Sequence, residues 1–225
     1  MDTRRTFPIH LDLSALKCVV IGGGRVAERR VKRLMECGAN PVVVVSPEVT
    51  AALALATDSG AVTLLRQPYD REVLTGAHLV FAATDSPDVN AQVARDARAL
   101  GALVNVASSG ADGDFLVPAA LHRGALTISV STDGSSPLLA ERIVAGLAAQ
   151  YDESYGVYID ILGRVRERLK SECPNPPTRH VALAALLDHE ASIRAVAREQ
   201  DAEAAYEAAL AIAREALKLE SLLCM

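Results

Sequence analysis

Ile21-Gly22-Gly23-Gly24-Arg25-Val26-Ala27 follows an apolar run and opens a segment of helical character. Read as G-x-G-x-x-A, it uses Gly22, Gly24 and Ala27. Gly22 permits a tight turn out of a strand, Gly24 lets a diphosphate approach the backbone, and Ala27 keeps the helix close to the sheet. The N–H groups at the helix start then face the phosphates, and the helix dipole favours their charge. That chemistry is dinucleotide binding, and with it redox. An acidic residue usually closes the second strand of such a unit and holds the ribose hydroxyls. Here Ser46 and Pro47 stand there, so the preference at the 2′ position stays open. Arg25 can meet a 2′-phosphate or lie in solvent.

Other polar residues fall at expected strand ends. Thr84-Asp85 lies where ligands bind in open α/β sheets; for Asp85, capping of the next helix is the plainer role. Asn90 follows one turn on. Asn105 can orient a nicotinamide amide, hold a substrate group or serve a turn. Among the five histidines only His122, beside Arg123, stands at a suggestive place, and none has metal-ligand spacing.

The elements that must carry these residues follow from the apolar runs. Cys18–Ile21, Val42–Val45, 62–65, 78–83 and Leu103–Val106 read as strands, and Val26 to Cys37 and Asp88 to Leu100 as helices. Strands alternating with helices imply a doubly wound parallel sheet. Phe115-Leu116-Val117 and Leu126–Val130 read as two further strands joined through His122-Arg123-Gly124. A helix starts at Pro137. Tyr158, Leu162, Val165 and Leu169, and then Tyr206, Leu210, Ala213 and Leu217, recur at helix spacing. Pro174, Pro176 and Pro177 break the first of these helices.

Composition narrows the class. The chain has 225 residues, half of them apolar, and a formal charge of −5. It is long enough to bury a core, and its charge offers nothing to nucleic acid. Cys18, Cys37, Cys173 and Cys224 form no C-x-x-C pair, which fits a reducing cytoplasm rather than a zinc site or a disulfide frame. The first eight residues lack the apolar core of a signal peptide, and no run is long enough to cross a bilayer.

Taken in order, the motifs resemble the precorrin-2 dehydrogenase family, which includes the N-terminal module of siroheme synthases. Gly22 to Arg30 is similar to its G-G-G-x-V-A-x-R-K start. Ala82-Ala83-Thr84-Asp85 with Asn90 resembles its A-A-T-D and downstream Asn. Asn105-Val106 with Phe115-Leu116-Val117-Pro118 resembles its N-V…F-x-x-P stretch, and Ser131 to Pro137 its S-T-x-G-x-S-P loop. The match covers roughly residues 5 to 145.

The resemblance implies NAD-dependent oxidation of precorrin-2 to sirohydrochlorin. It also implies a Rossmann domain (1–112), a small β-rich dimerisation region (113–145) and a helical domain (146–225). The family homodimer sets its substrate pocket between domains. By position, Arg25, Val26, Ser46 and Pro47 touch the cofactor. Thr132 falls where some siroheme synthases carry a phosphorylatable serine, and Ser136 closes the same loop. Arg142, just inside the helix after Pro137, is a candidate partner for substrate carboxylates. One position departs from the pattern. Where the family has an aspartate implicated in dehydrogenation and chelation, this chain has Ser108, which supplies no charge at neutral pH. Asp112 and Asp114 share that loop, as stand-ins or as ordinary loop acids. The departure weighs on chelation more than on dehydrogenation. Two alternatives share the glycine turn: a bifunctional dehydrogenase–ferrochelatase, and a non-catalytic NAD-responsive module.

Overall fold

A computed structural model describes residues 6–199 and 201–223; Cys224 and residues 1–5 lie outside them. The chain divides into two compact units. One runs through Val117 and includes Asp133–Ser135; the other takes Pro118–Thr132 and everything from Ser136 onward.

The first unit is a Rossmann-type parallel sheet. Its strands are β1 (Cys18–Ile21), β2 (Val42–Val45), β3 (Thr63–Leu65), β4 (Leu79–Ala82) and β5 (Leu103–Val106), in the order β3-β2-β1-β4-β5. All four pairings are parallel. Helices α1 (Arg25–Glu36), α2 (Ala51–Asp58) and α3 (Pro87–Ala99) make three of the four crossovers, and a short 3-10 turn at Arg71–Leu74 lies in the β3-to-β4 connection. Successive side chains of a strand point to opposite faces, so each central strand feeds two cores. Val20, Val44 and Phe81 pack with Ala27, Val31 and Leu34 of α1. Val19, Ile21, Val80 and Ala82 pack with Val93, Ala94 and Ala97 of α3. Burial pushes the Cys18 thiol up to about 11, which suits a core residue and not a nucleophile.

Phe115-Leu116-Val117 is not a strand. Pro118 has no N–H to give a ladder, and Phe115 packs edge-on against Phe81 with ring centroids 5.4 Å apart. The next strand begins instead at Ala119. In the second unit β6 (Ala119–Arg123) and β7 (Leu126–Val130) form an antiparallel hairpin. His122 and Arg123 end β6 rather than forming the connection, and the turn is made by Gly124, at φ 54°, with Ala125. His122 Nδ1 lies 3.1 Å from Thr127 Oγ1 across the hairpin.

Helices α4 (Pro137–Gln150), α5 (Ser154–Glu172), α6 (Pro176–Asp188), α7 (Glu190–Glu199) and α8 (Ala202–Leu223) complete that unit. Tyr158, Ile161, Val165 and Leu169 of α5 bury against Leu186, Ile193, Leu210 and Ala213. Leu162 is only half-buried; the neighbouring Ile161 takes the central place. Among the described residues no helix is long and apolar enough to cross a membrane.

Ion pairs tie these helices together. Bonds from Ser154 and Arg194 hold the Asp152 carboxyl down to about 2, and bonds from Arg214 and Arg168 do the same for Glu172. Unfolded carboxylates titrate at about 4. A folded value below the unfolded one stabilises fully above pH 4, and that stabilisation disappears as pH falls towards 2. Melting followed by circular dichroism should therefore drop across that window. Asp152→Asn with Glu172→Gln should flatten the drop; a slope equal to that of the unaltered chain would contradict the assignment.

Candidate active site

The glycine turn follows the central strand β1 and is enclosed by the chain after β4 on one side and after β2 on the other. Gly22 adopts φ 124°, and a Cβ on it would sit 2.4 Å from Ala83 O at the end of β4. A Cβ on Gly23 would sit 1.9 Å from Glu48 O and 2.8 Å from Ser46 Oγ. Gly24 differs, because a Cβ there would meet nothing within 4 Å. Gly22 and Gly23 thus admit neighbouring backbone, and Gly24 leaves room for something else. Sequence reasoning assigned no role to Gly23, which turns out to be the most tightly enclosed of the three.

No side chain caps α1 at Gly24. The N–H groups of its first turn therefore lack intrahelical partners beside the open side of Gly24. Arg25 is exposed and Val26 half-buried there. Beyond β2, the Ser46 hydroxyl donates to Glu48 O at 2.7 Å, and Pro47 is exposed. This turn lies against the glycine loop, because Thr50 N–H donates to Gly23 O at 3.0 Å. Thr50 also caps α2, its hydroxyl accepting from Leu53 N–H.

Helix α2 is absent from the sequence reading. A cavity of about 650 Å³ lies at the first turns of α1 and α2, lined by Arg25, Glu28, Arg29, Thr50, Ala51 and Ala52. Of these, only Arg25 was a candidate. The available signal was Thr50 before an alanine- and leucine-rich run, a capping residue before strong helix formers.

At the end of β4, Thr84 and Asn90 form a closed set of bonds. The Thr84 hydroxyl donates to Asn90 Oδ1 at 2.8 Å, and Asn90 Nδ2 donates to Thr84 O at 3.0 Å. Asn90 is buried, so its role is to shape this turn. Asp85 does not cap α3. Ser86 does, accepting from Val89 N–H, because Pro87 is the first helical residue and fixes the cap one place before it. Asp85 is exposed at the carboxyl end of the strand.

Asn105 is 4 % exposed, on the face of β5 shared with Phe81 and Phe115. Its Nδ2 donates to Phe115 O at 2.9 Å, while among the described residues the buried Oδ1 has no partner. An unmet buried acceptor costs about 1–3 kcal/mol unless a ligand or water donates to it.

The acids of the following loop separate. Asp114 is fully engaged: Arg98 Nε donates to Oδ1 at 2.8 Å and Val104 N–H to Oδ2 at 3.0 Å. It clamps the loop to β5. Asp112 and Ser108 are exposed. In the second unit the Thr132 hydroxyl accepts from Ser136 N–H at 3.1 Å, and Ser136 Oγ caps α4 by accepting from Leu139 N–H at 3.3 Å. Arg142 is exposed.

The comparisons with known proteins point to nucleotide binding by the first unit. Residues 9–119 match a family described as putative NAD(P)-binding. The precorrin-2 dehydrogenase of Priestia megaterium is 34 % identical over 182 residues, which span 81 % of this chain and 89 % of that one. The chain belongs to the precorrin-2 dehydrogenase family. The siroheme synthase of Nitrosococcus oceani is also 34 % identical, over 90 % of this chain. This chain spans 43 % of that longer relative. A solved structure of SirC, a precorrin-2 dehydrogenase, superposes with TM-score 0.69 at 31 % identity, covering 95 % of this chain and 98 % of that one. Family membership thus rests on the whole two-unit chain, beyond the glycine turn alone.

Proposed function

We propose that the chain binds NAD in the first unit and oxidises precorrin-2 to sirohydrochlorin. The observation that carries this reading is the open side of Gly24 beside the uncapped start of α1, on a chain of this family. The first-turn N–H groups hold the diphosphate, with Arg25 and Val26 alongside it and Ser46 and Pro47 by the ribose. Thr84 and Asp85 border the nicotinamide end. Asn105 Oδ1 accepts a donor there, the carboxamide N–H being the natural one.

Bound NAD supplies the hydride acceptor. The reaction removes one hydride and one proton from precorrin-2 and yields sirohydrochlorin, NADH and a proton. Positioning supplies the rate, so the chain's task is to hold the two reactants in register. Asp112, exposed in the loop after β5, is the carboxylate we assign to take the proton; Ser108 hydrogen-bonds but cannot take it. Asp114 is a positioning residue, since both of its oxygens are bonded. Arg142, Thr132 and Ser136 meet the substrate's acidic side chains. Purified protein given precorrin-2 and NAD without oxygen should form sirohydrochlorin. No product with either NAD or NADP would overturn the reading.

Ser108 and the engaged Asp114 leave this loop poor in carboxylate for a metal. Fe²⁺ insertion into sirohydrochlorin is expected at the uncatalysed rate; a clear excess over that rate would favour the bifunctional alternative.

The protein acts as a homodimer through its second unit. Leu138, Leu139 and Ile143 of α4 are 79 %, 50 % and 40 % exposed. An exposed apolar helix face of this kind calls for a cover. Light scattering after gel filtration should give twice the chain mass, and Leu138→Asp with Ile143→Asp should halve it. A monomer in the unaltered protein would refute the dimer.

A further inference from the structure

The cavity between the first turns of α1 and α2 has more positive character than a ribose diol requires. Its position is fixed by the Thr50 N–H bond to Gly23 O, which holds the start of α2 beside the diphosphate turn. With the diphosphate at the glycine turn, as proposed above, the adjoining adenosine ribose would face this cavity. At about 650 Å³ it falls within the usual range for small-ligand sites. Arg25 and Arg29, four residues apart on one helix face, both line it, and among the described residues neither has an ion pair. Glu28 is the one acid in the lining, so the two guanidinium groups outnumber it. Ser46 follows the last residue of β2, and its hydroxyl proton is already given to Glu48 O. Ser46 and Pro47 stand where a carboxylate would grip a diol and repel a phosphate, and Glu48, exposed next to them, does not line the cavity.

We propose that this cavity is an anion subsite for the 2′-phosphate of NADP, so that the chain takes NADP as well as NAD. Arg29 is its main selector, with Arg25 shared between this phosphate and the diphosphate. The proposal rests on the reading that a nicotinamide dinucleotide binds the glycine turn.

Calorimetric titration with NAD, NADP, adenosine 2′,5′-diphosphate and ADP tests it without turnover. NADP should bind within about threefold of NAD or tighter, and adenosine 2′,5′-diphosphate should bind more tightly than ADP. Raised salt should weaken NADP more than NAD. Arg29→Ala should weaken NADP roughly tenfold more than NAD, and Arg29→Lys should restore part of that difference. Three results would overturn the subsite. They are NADP binding at least about tenfold weaker than NAD, an equal effect of Arg29→Ala on both coenzymes, and inorganic phosphate displacing both equally. If neither coenzyme binds, the proposed function itself fails, which is a separate outcome.

Discussion

Gly23→Ala should unfold or severely weaken the first unit, whereas Gly24→Ala should keep the fold and lose the coenzyme. A methyl on Gly23 falls 1.9 Å from Glu48 O, and that backbone cannot simply move. Ser46 N–H is held by Leu65 O at 3.1 Å and Thr50 N–H by Gly23 O at 3.0 Å, so the turn is pinned at both ends. Overpacking against fixed backbone costs about 3 kcal/mol, a large share of a domain's stability. At Gly24 the same methyl meets nothing within 4 Å, and Gly24 sits at φ −82°, which any residue adopts. The methyl would instead fill the approach of the diphosphate. Melting temperature should stay near that of the unaltered protein, and the Kd for NAD should rise by roughly tenfold or more. Calorimetry of both variants separates the roles. NAD binding unimpaired in Gly24→Ala would show that the diphosphate lies elsewhere.

Asn105→Leu should leave the protein folded and nearly stop the reaction. The side chain is buried, yet among the described residues one of its two polar ends has no partner. Leucine removes that unmet acceptor, and its gain offsets the bond lost to Phe115 O, so stability should shift by no more than about 1 kcal/mol. The effect on turnover should be far larger. Without an acceptor at this depth the nicotinamide is free to tilt, and a small misplacement of reacting atoms costs on the order of 100-fold. Chemical unfolding and steady-state rates, measured on one preparation, decide the matter. A large loss of stability would make Asn105 a fold residue, and an unchanged rate would make it a spectator.

Much of the first unit was legible because its strands are short and buried on both faces. Cys18–Ile21 and Val42–Val45 are continuous apolar runs with nowhere else to go, and they and Leu103–Val106 appear with the expected bounds. Helix α2 was not, because its first six residues are all apolar and show no stripe. Phe115–Val117 misled for the opposite reason. Three apolar residues suit a strand, but Phe115 spends its ring on Phe81 and its carbonyl on Asn105. The family motifs named the glycine turn between β1 and α1 directly. They could not reveal that Arg98, sixteen residues before Asp114, occupies one of its oxygens. Nor could they show that Arg29 and Ala51 share a cavity, since that depends on Thr50 reaching the glycine turn.

The central claim is hydride transfer from a tetrapyrrole to a nicotinamide held at the glycine turn. Its most direct test follows NADH at 340 nm together with the visible band of sirohydrochlorin, without oxygen, after mixing protein and NAD with a measured amount of precorrin-2. The two signals should rise at one rate, with one NADH for each sirohydrochlorin. Sirohydrochlorin forming without NADH, or neither signal exceeding a protein-free control, would contradict the account.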